Sequence, residues 1–435
     1  MMRENIYVLW PANDLRQRLL ALGLFRRRGR RGRLVRFFRQ GKWGVALPRG
    51  LWPKVRDVVG NSPVKDLRFA GPPLDFRWRG ELRPEQAQAA WRLHAEGGGI
   101  LLAWPGAGKT NLGLGMVAAW RQPCLWVVHT AALAAQALQR AHELFALGGG
   151  AFGLVGDGKC SWGTHLTVAL VQTLAQGGYP EEARIGTVVV DECHHAPAMN
   201  VAKVLSRLPA RYRLGLTATP ERSDGLGELM VALLGPAVVE IAPKKLVERG
   251  RVVLPEVKVV LTKFSCAQVP WPRLQRARAR NRERNALVVR LARDEAGAGH
   301  RMLILTELVS HARLLAGAIE RLGVAAVALV GGTMPADRER ALAAAADGRV
   351  VLVATKLADE GLDLPALDRL VLACPGKSAG RLTQQIGRIA RAWEGKEDAL
   401  VYDVADPLVA VLASQLRLRL AAYRAMGLRV RRARG

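Results

Sequence analysis

The sequence predicts an α/β protein in which two doubly wound parallel sheets follow one another, with a small basic domain in front. Three observations carry this. Short, wholly apolar runs recur through residues 100–404, as expected of parallel strands covered on both faces. Ala- and Leu-rich stretches of helical length lie between several of them, supplying the crossovers that parallel pairing demands. The runs form two series, separated by a polar, proline-bearing stretch near residues 242–272.

The first series is "ILLAW" (100–104), "CLWVVH" (124–129), "LTVAL" (166–170), "TVVVD" (187–191) and "RLGLT" (213–217). The second is "MLILT" (302–306), "VAAVALV" (324–330), "VVLVAT" (350–355), "RLVLA" (369–373) and "ALVYDV" (399–404). At 435 residues, half of them hydrophobic, the chain has the length for two or three domains. The expected boundaries are a basic nucleic-acid-binding accessory domain at 1–76, a first lobe at 77–242, a second at 243–412 and a basic tail at 413–435. Residues 273–293 read as a basic helix opening the second lobe with a solvated face.

Charge is the strongest compositional signal. Sixty-five Lys and Arg against 37 Asp and Glu leave a net charge of +28, which attracts polyanions, nucleic acid first among them. Only 13 of the bases are lysine, so a uniform arginine bias without function is the competing explanation. The distribution argues against it: residues 1–80 hold 19 bases and five acids, half of the whole surplus. "RRRGRRGRLVRFFR" (26–39) is the densest part, and Arg27, Arg28, Arg30 and Arg31 are candidate phosphate contacts, with Phe37 and Phe38 near an unpaired base. Residues 407–435 add seven arginines and no acid.

The five cysteines form no CxxC pair, so neither a zinc site nor a disulfide framework is expected. No apolar run approaches the roughly 18 residues that span a bilayer, and the first residues lack a secretory layout. A cytoplasmic, monomeric protein with no membrane partner is expected.

"LLAWPGAGKT" (101–110) puts a glycine-rich turn between a strand and a helical stretch. Gly106, Ala107 and Gly108 let backbone N–H groups approach phosphates at a helix N-terminus. Lys109 reaches for the β- and γ-phosphates of ATP, and the Thr110 hydroxyl for Mg²⁺. "VVVDECHHA" (188–196) ends an apolar strand in two carboxylates. Magnesium-assisted phosphoanhydride hydrolysis needs one acid near the metal and one to orient water; Asp191 suits the first role and Glu192 the second. His194 and His195 are adjacent and so poorly placed to share a metal; a coupling role suits them better.

"LRPEQAQA" (82–89), "VVHTAALAAQ" (127–136), "VALVQTLA" (168–175), "GLTATPERSDG" (215–225), "VLVATKLADEGLDLP" (351–365) and "QQIGRIAR" (384–391) complete the set. Together these motifs resemble those of the superfamily 2 helicases of DEAD/DEAH-box type over residues 81–406. The XPB-like branch, which includes the phage UvsW-type DNA helicases, is the most similar. The resemblance implies two RecA-like lobes, with Gln86 reading adenine. It implies that Thr130 and Gln172 touch the bound strand from the first lobe and Thr355 touches backbone phosphate from the second. His194, Thr217 and Thr219 become coupling residues, Gly361 and Asp363 link the lobes at the nucleotide, and Gln384, Arg388 and Arg391 form the arginine-finger motif. The chain departs from the family pattern at Glu85, where an aromatic is common, and at Trp104 and Pro105, where smaller residues are.

The function so implied is an ATP-dependent DNA helicase or translocase acting on duplex, branched or single-stranded DNA in repair, recombination or fork processing. RNA is the alternative partner for the same motor. A basic nucleic-acid-binding protein with a vestigial ATP site is the reading from another class.

Overall fold

The computed structural model describes residues 5–9, 13–26, 34–42, 44–177, 184–194, 198–218, 226–235, 237–355 and 364–434. Apart from the loop residues 104–106, the chain divides between Ala242 and Pro243 into two compact units.

The first unit begins with β1 (Asn5–Leu9), β2 (Leu24–Arg26), β3 (Leu34–Arg36), β4 (Arg39–Gly41) and β5 (Gly44–Pro48). β5 is central, antiparallel to β1 and β4, while β2 and β3 form a separate hairpin. Three short strands bury too little to stand alone. Accordingly, Leu47, Leu51 and Val55 share one core with Leu229, Leu233 and Val204 of the following lobe, and Phe37 and Phe38 pack against that core. Arg49 is buried too, its guanidinium donating to the carbonyls of Ala210 (2.5 Å) and Arg211 (3.3 Å). The described part of the N-terminal region is thus docked on the first lobe, where Phe37 and Phe38, both partly buried, pack against the shared core.

The lobe itself contains β6 (Gly98–Ala103), β7 (Cys124–Val128), β8 (Phe152–Gly156), β9 (Lys159–Ser161), β10 (Leu166–Leu170), β11 (Thr187–Val190), β12 (Tyr212–Thr217) and β13 (Val238–Ile241). They form one sheet in the order β13-β6-β12-β11-β7-β10-β8-β9. Every pair is parallel except β8–β9. All residues of the central β7 and β11 are buried, which explains their unbroken apolar runs. Buried Arg213 ties the layers together by donating to the carbonyls of Leu205, Leu208 and Leu233.

In the second unit β14 (Glu256–Leu261), β15 (Met302–Thr306), β16 (Ala326–Leu329), β17 (Val351–Thr355), β18 (Arg369–Leu372), β19 (Leu400–Ala405) and β20 (Val430–Arg434) form a parallel sheet. Its order is β16-β17-β15-β18-β19-β14-β20. Two sequence expectations change here. The linker-like stretch 242–272 contains β14. Residues 413–435 are no loose tail: they hold most of the helix Ala410–Ala425 and then β20, the sheet's edge. Arg419 in that helix is buried and doubly hydrogen-bonded to Asp403 (2.7 and 2.8 Å), which also accepts from the Tyr423 hydroxyl.

The expected basic helix at 273–293 is two helices, Trp271–Arg280 and Arg282–Gly297, separated by Asn281, whose side chain caps the second. Their surface is only partly solvated, because Arg278 and Arg284 turn inward onto Asp406 at 2.8 and 2.9 Å. Among the described residues no helix is long and apolar enough to cross a membrane.

Candidate nucleotide site and strand-contacting edge

The sheet order of the first unit explains how distant motifs meet. β6, β12, β11, β7 and β10 are successive neighbours, so at about 4.8 Å per strand their C-terminal ends span roughly 19 Å. The phosphate-loop motif follows β6, Thr217 ends β12, Asp191 and Glu192 follow β11, Thr130 follows β7, and Gln172 follows β10.

The helix Lys109–Trp120 starts directly after Gly108, which has φ +75°. Its first N–H groups receive no side-chain cap from Gly108, leaving donors and a positive dipole end for an anion. A Cβ at Gly108 would lie 2.5 Å from Gln86 Nε2 and 2.7 Å from an Arg83 guanidinium nitrogen, so packing as well as φ demands glycine here. Gln86 is buried, and its amide donates to the carbonyls of Ala107 (2.8 Å) and Gly108 (3.2 Å) while accepting from Arg83 N. Its amide is therefore engaged with the loop backbone, which fixes Gln86 beside the phosphate-loop motif. Arg83, not singled out in the sequence, donates to the Ala107 carbonyl at 2.5 Å. Glu85, at the position where an aromatic is common in the family, is buried and paired with Arg83 at 3.4 Å. Thr110 is the second residue of the helix, partly exposed.

The acid turn is tied to both neighbouring strands: Asp191 N donates to Val127 O (2.9 Å) and Cys193 N to Leu216 O (3.0 Å). Glu192 lies at φ +44°, a left-handed conformation that costs a non-glycine residue free energy. Its carboxylate stands 3.6 Å from Lys109 Nζ and 3.4 Å from His194 Nδ1. That imidazole nitrogen is also 2.6 Å from the Thr217 hydroxyl. Asp191 is buried, and burial, then the charge of Glu192, pushes its carboxyl up to about 7 against the pull of Lys109. A buried acid of this kind calls for a cation, so the residues fit Mg²⁺ beside a phosphate. His195 and Thr219 lie outside the described residues.

Thr130 caps the helix Ala131–Leu144 through its Oγ1, and Gln172 Nε2 donates to His129 O at 3.1 Å. These two expected strand contacts are thus side by side on neighbouring strand ends. Arg27, Arg28, Arg30 and Arg31 lie outside the described residues.

In the second unit Gln384 and Arg388 sit one helical turn apart on Ala379–Ile389, with Arg391 just beyond its end. Lys396, which nothing in its sequence context marks, reaches the carbonyls of Ile389 (2.5 Å), Arg391 (2.9 Å), Leu367 (2.5 Å) and Pro365 (3.2 Å). It holds the segment bearing Arg391 in place. Thr355 is buried at the end of β17, and Gly361 and Asp363 lie outside the described residues. Among the described residues no three His, Cys, Asp or Glu side chains group as a metal site, and the cysteines are thiols rather than disulfides.

A phosphate-loop motif followed by an acid pair on a doubly wound sheet, with a second such sheet after it, is the arrangement of a nucleotide-binding protein with two α/β lobes in tandem. Residues 79–222 match the family described as the res subunit of type III restriction enzymes, and residues 283–393 match the helicase conserved C-terminal domain. The chain belongs to the superfamily 2 helicases, with XPB-like and viral helicases as relatives. An Acanthamoeba polyphaga mimivirus protein named as an ATP-dependent RNA helicase is 24% identical, covering 80% of this chain and 69% of its own. The DNA 3'-5' helicase XPB of Kineococcus radiotolerans is 27% identical over 74% of this chain and 59% of its own. The DNA 3'-5' translocase XPB2 of Sulfurisphaera tokodaii is 34% identical over 36% of this chain and 35% of its own. The fold is shared with the helicase domain of Pyrococcus furiosus Hef, at TM-score 0.51 and 16% identity over 74% of this chain and 95% of that one.

Proposed function

We propose that this chain is an ATP-dependent DNA helicase or translocase that couples hydrolysis to movement on, or remodelling of, DNA. The observation that carries the reading is the single row of strand ends leading from Lys109, through Thr217, Asp191 and Glu192, to Thr130 and Gln172. At the phosphate end Glu192, His194 and Thr217 are in mutual contact, and the bond from Asp191 N to Val127 O ties the acid turn to β7, the strand that leads into Thr130.

In this reading Lys109 and the N–H groups of the following helix bind the phosphates of ATP. Thr110 and Asp191 hold Mg²⁺, which neutralises phosphate charge when bound. Glu192 orients and deprotonates the attacking water, and its backbone strain fixes the carboxylate at the turn. Arg388 and Arg391 supply positive charge to the transition state, so turnover requires both lobes.

DNA is favoured as substrate by the relatives named as DNA helicase and translocase; RNA is the second reading, favoured by the mimivirus relative. The deciding experiment is the ATPase rate with single-stranded DNA, duplex, fork, junction and RNA. Stimulation by RNA alone overturns the DNA reading, and an absence of nucleic-acid-dependent turnover overturns the motor.

A further inference from the structure

The second unit has a cavity of about 510 Å³ at the C-terminal ends of β15 and β18. It adjoins the finger motif through Gln385, while Gln384, Arg388 and Arg391 do not line it. Its volume falls in the range of small-molecule sites, and its walls differ in chemistry.

One wall is the N-terminal turn of the helix Ala379–Ile389, with Lys377, Ser378 and Arg381. Ser378 Oγ caps this helix by accepting from Arg381 N at 3.4 Å, and its first turn contains no acid. The lining has a single carboxylate, Glu307, which pairs with Arg381 at 3.3 Å. This wall favours an anion.

Another wall is Trp271, the first residue of its helix and 43% exposed. An exposed indole beside a cationic wall offers a face for stacking.

Of the three glutamines in the lining, Gln275, Gln385 and Gln415, the first and last are each only 8% exposed. Gln275 Oε1 is occupied, accepting from the Arg278 guanidinium at 3.1 Å. Gln415 Oε1 is buried with no hydrogen-bond partner among the described residues. A buried acceptor left unpaired is costly, so an N–H donor arriving in the cavity gains most at this atom.

We propose that this cavity receives one unpaired nucleotide of the bound strand. Its phosphate rests on Lys377 and the helix N-terminus, its base stacks on Trp271, and a base N–H donates to Gln415 Oε1. Every common base carries an N–H donor and a π face, so the site tolerates any sequence. The inference rests on the nucleic-acid-binding function proposed above and adds a base-holding site within the second lobe.

The test uses the full chain and two 12-nucleotide DNA probes, one normal and one with its central six bases replaced by abasic residues. Trp271→Ala is expected to weaken binding of the normal probe about tenfold, and Gln415→Leu about threefold. Wild type and Trp271→Ala should bind the abasic probe equally, because the base that the indole would stack on is absent. A 5-iodouracil version of the normal probe should photocrosslink to Trp271. Unchanged affinity in Trp271→Ala, or an equal loss on both probes, overturns the proposal while leaving the motor reading intact. A wild-type chain that binds no nucleic acid overturns both.

Discussion

Lys109 Nζ stands 3.6 Å from Glu192 Oε1, so the cation meant for phosphate and the carboxylate meant for water neutralise one another before nucleotide arrives. Both side chains are largely shielded from solvent, which limits screening of the pair. Glu192→Gln should therefore release Lys109, raising ATP affinity about threefold while lowering turnover by about 10²-fold or more. Lys109→Ala should lose both. A fluorescent-nucleotide titration with a steady-state ATPase assay separates the two; brisk turnover in Glu192→Gln would reassign the base.

Arg388 and Arg391 are separated from the phosphate loop by nearly the whole motor in sequence. Replacing either with Ala should lower kcat by about 10³-fold or more, the scale on which arginine fingers act, with nucleotide affinity nearly unchanged. Paired KM and kcat measurements check this. A rise in KM alone would mean these arginines only bind ground-state nucleotide.

Asp406 holds Arg278 and Arg284 together in the second unit, all three side chains at most 2% exposed. Asp406→Asn strands two buried cations and should destabilise the unit by about 3–5 kcal/mol. Burial alone would raise the Asp406 carboxyl, but Arg284 and Arg278 hold it below its ordinary 3.8. A depressed acid contributes stability that is present above about pH 4 and lost as the pH falls below it. Urea unfolding from pH 3 to 6 should show that loss in wild type and a flatter profile in the variant.

Asp191 has the opposite sign. Burial and Glu192 raise its carboxyl to about 7, so between about pH 4 and 7 the folded protein holds a proton that the unfolded chain releases. Without metal, this site costs stability as the pH climbs through that window. Asp191→Asn should abolish that decline, and Mg²⁺ binding, which needs the carboxylate, should weaken as the pH drops below about 7. Calorimetry of the metal-free protein and Mg²⁺ titrations at pH 6 and 8 test both statements.

The N-terminal region calls for two variants rather than one. Deleting residues 1–76 removes Leu47, Leu51 and Val55 from a shared core, so it should lower the melting temperature of the first unit as well as weaken DNA binding. Replacing Arg27, Arg28, Arg30 and Arg31 with Ala together should leave stability unchanged. It should reduce the slope of log K against log salt by about 0.9 for each phosphate that is no longer neutralised. An unchanged slope makes the cluster plain surface charge.

Strand positions and the phosphate loop were legible in the chain because their causes are local. An unbroken apolar run such as residues 188–190 suits a doubly covered strand, and Gly108 before Lys109 suits a tight turn into a helix. Adjacency of Asp191 and Glu192 likewise needs no tertiary contact. The strands β14 and β20 were missed because an edge and a near-edge strand are shaped by their partners more than by their own hydrophobicity. Arginines 278, 284 and 419 carry the same letter as those on the surface; only long-range partners, Asp406 and Asp403, make them core. The same holds for Gln86, whose amide the fold assigns to the loop backbone, and for Phe37 and Phe38, which the fold turns into packing. The chain alone shows the central strands of both sheets and the residue types of the candidate nucleotide site, because spacing of a few residues encodes both. Which charges and amides are buried follows from the folded arrangement, because their partners lie from 16 residues away, for Arg419 and Asp403, to 128, for Arg278 and Asp406, and no local spacing encodes them.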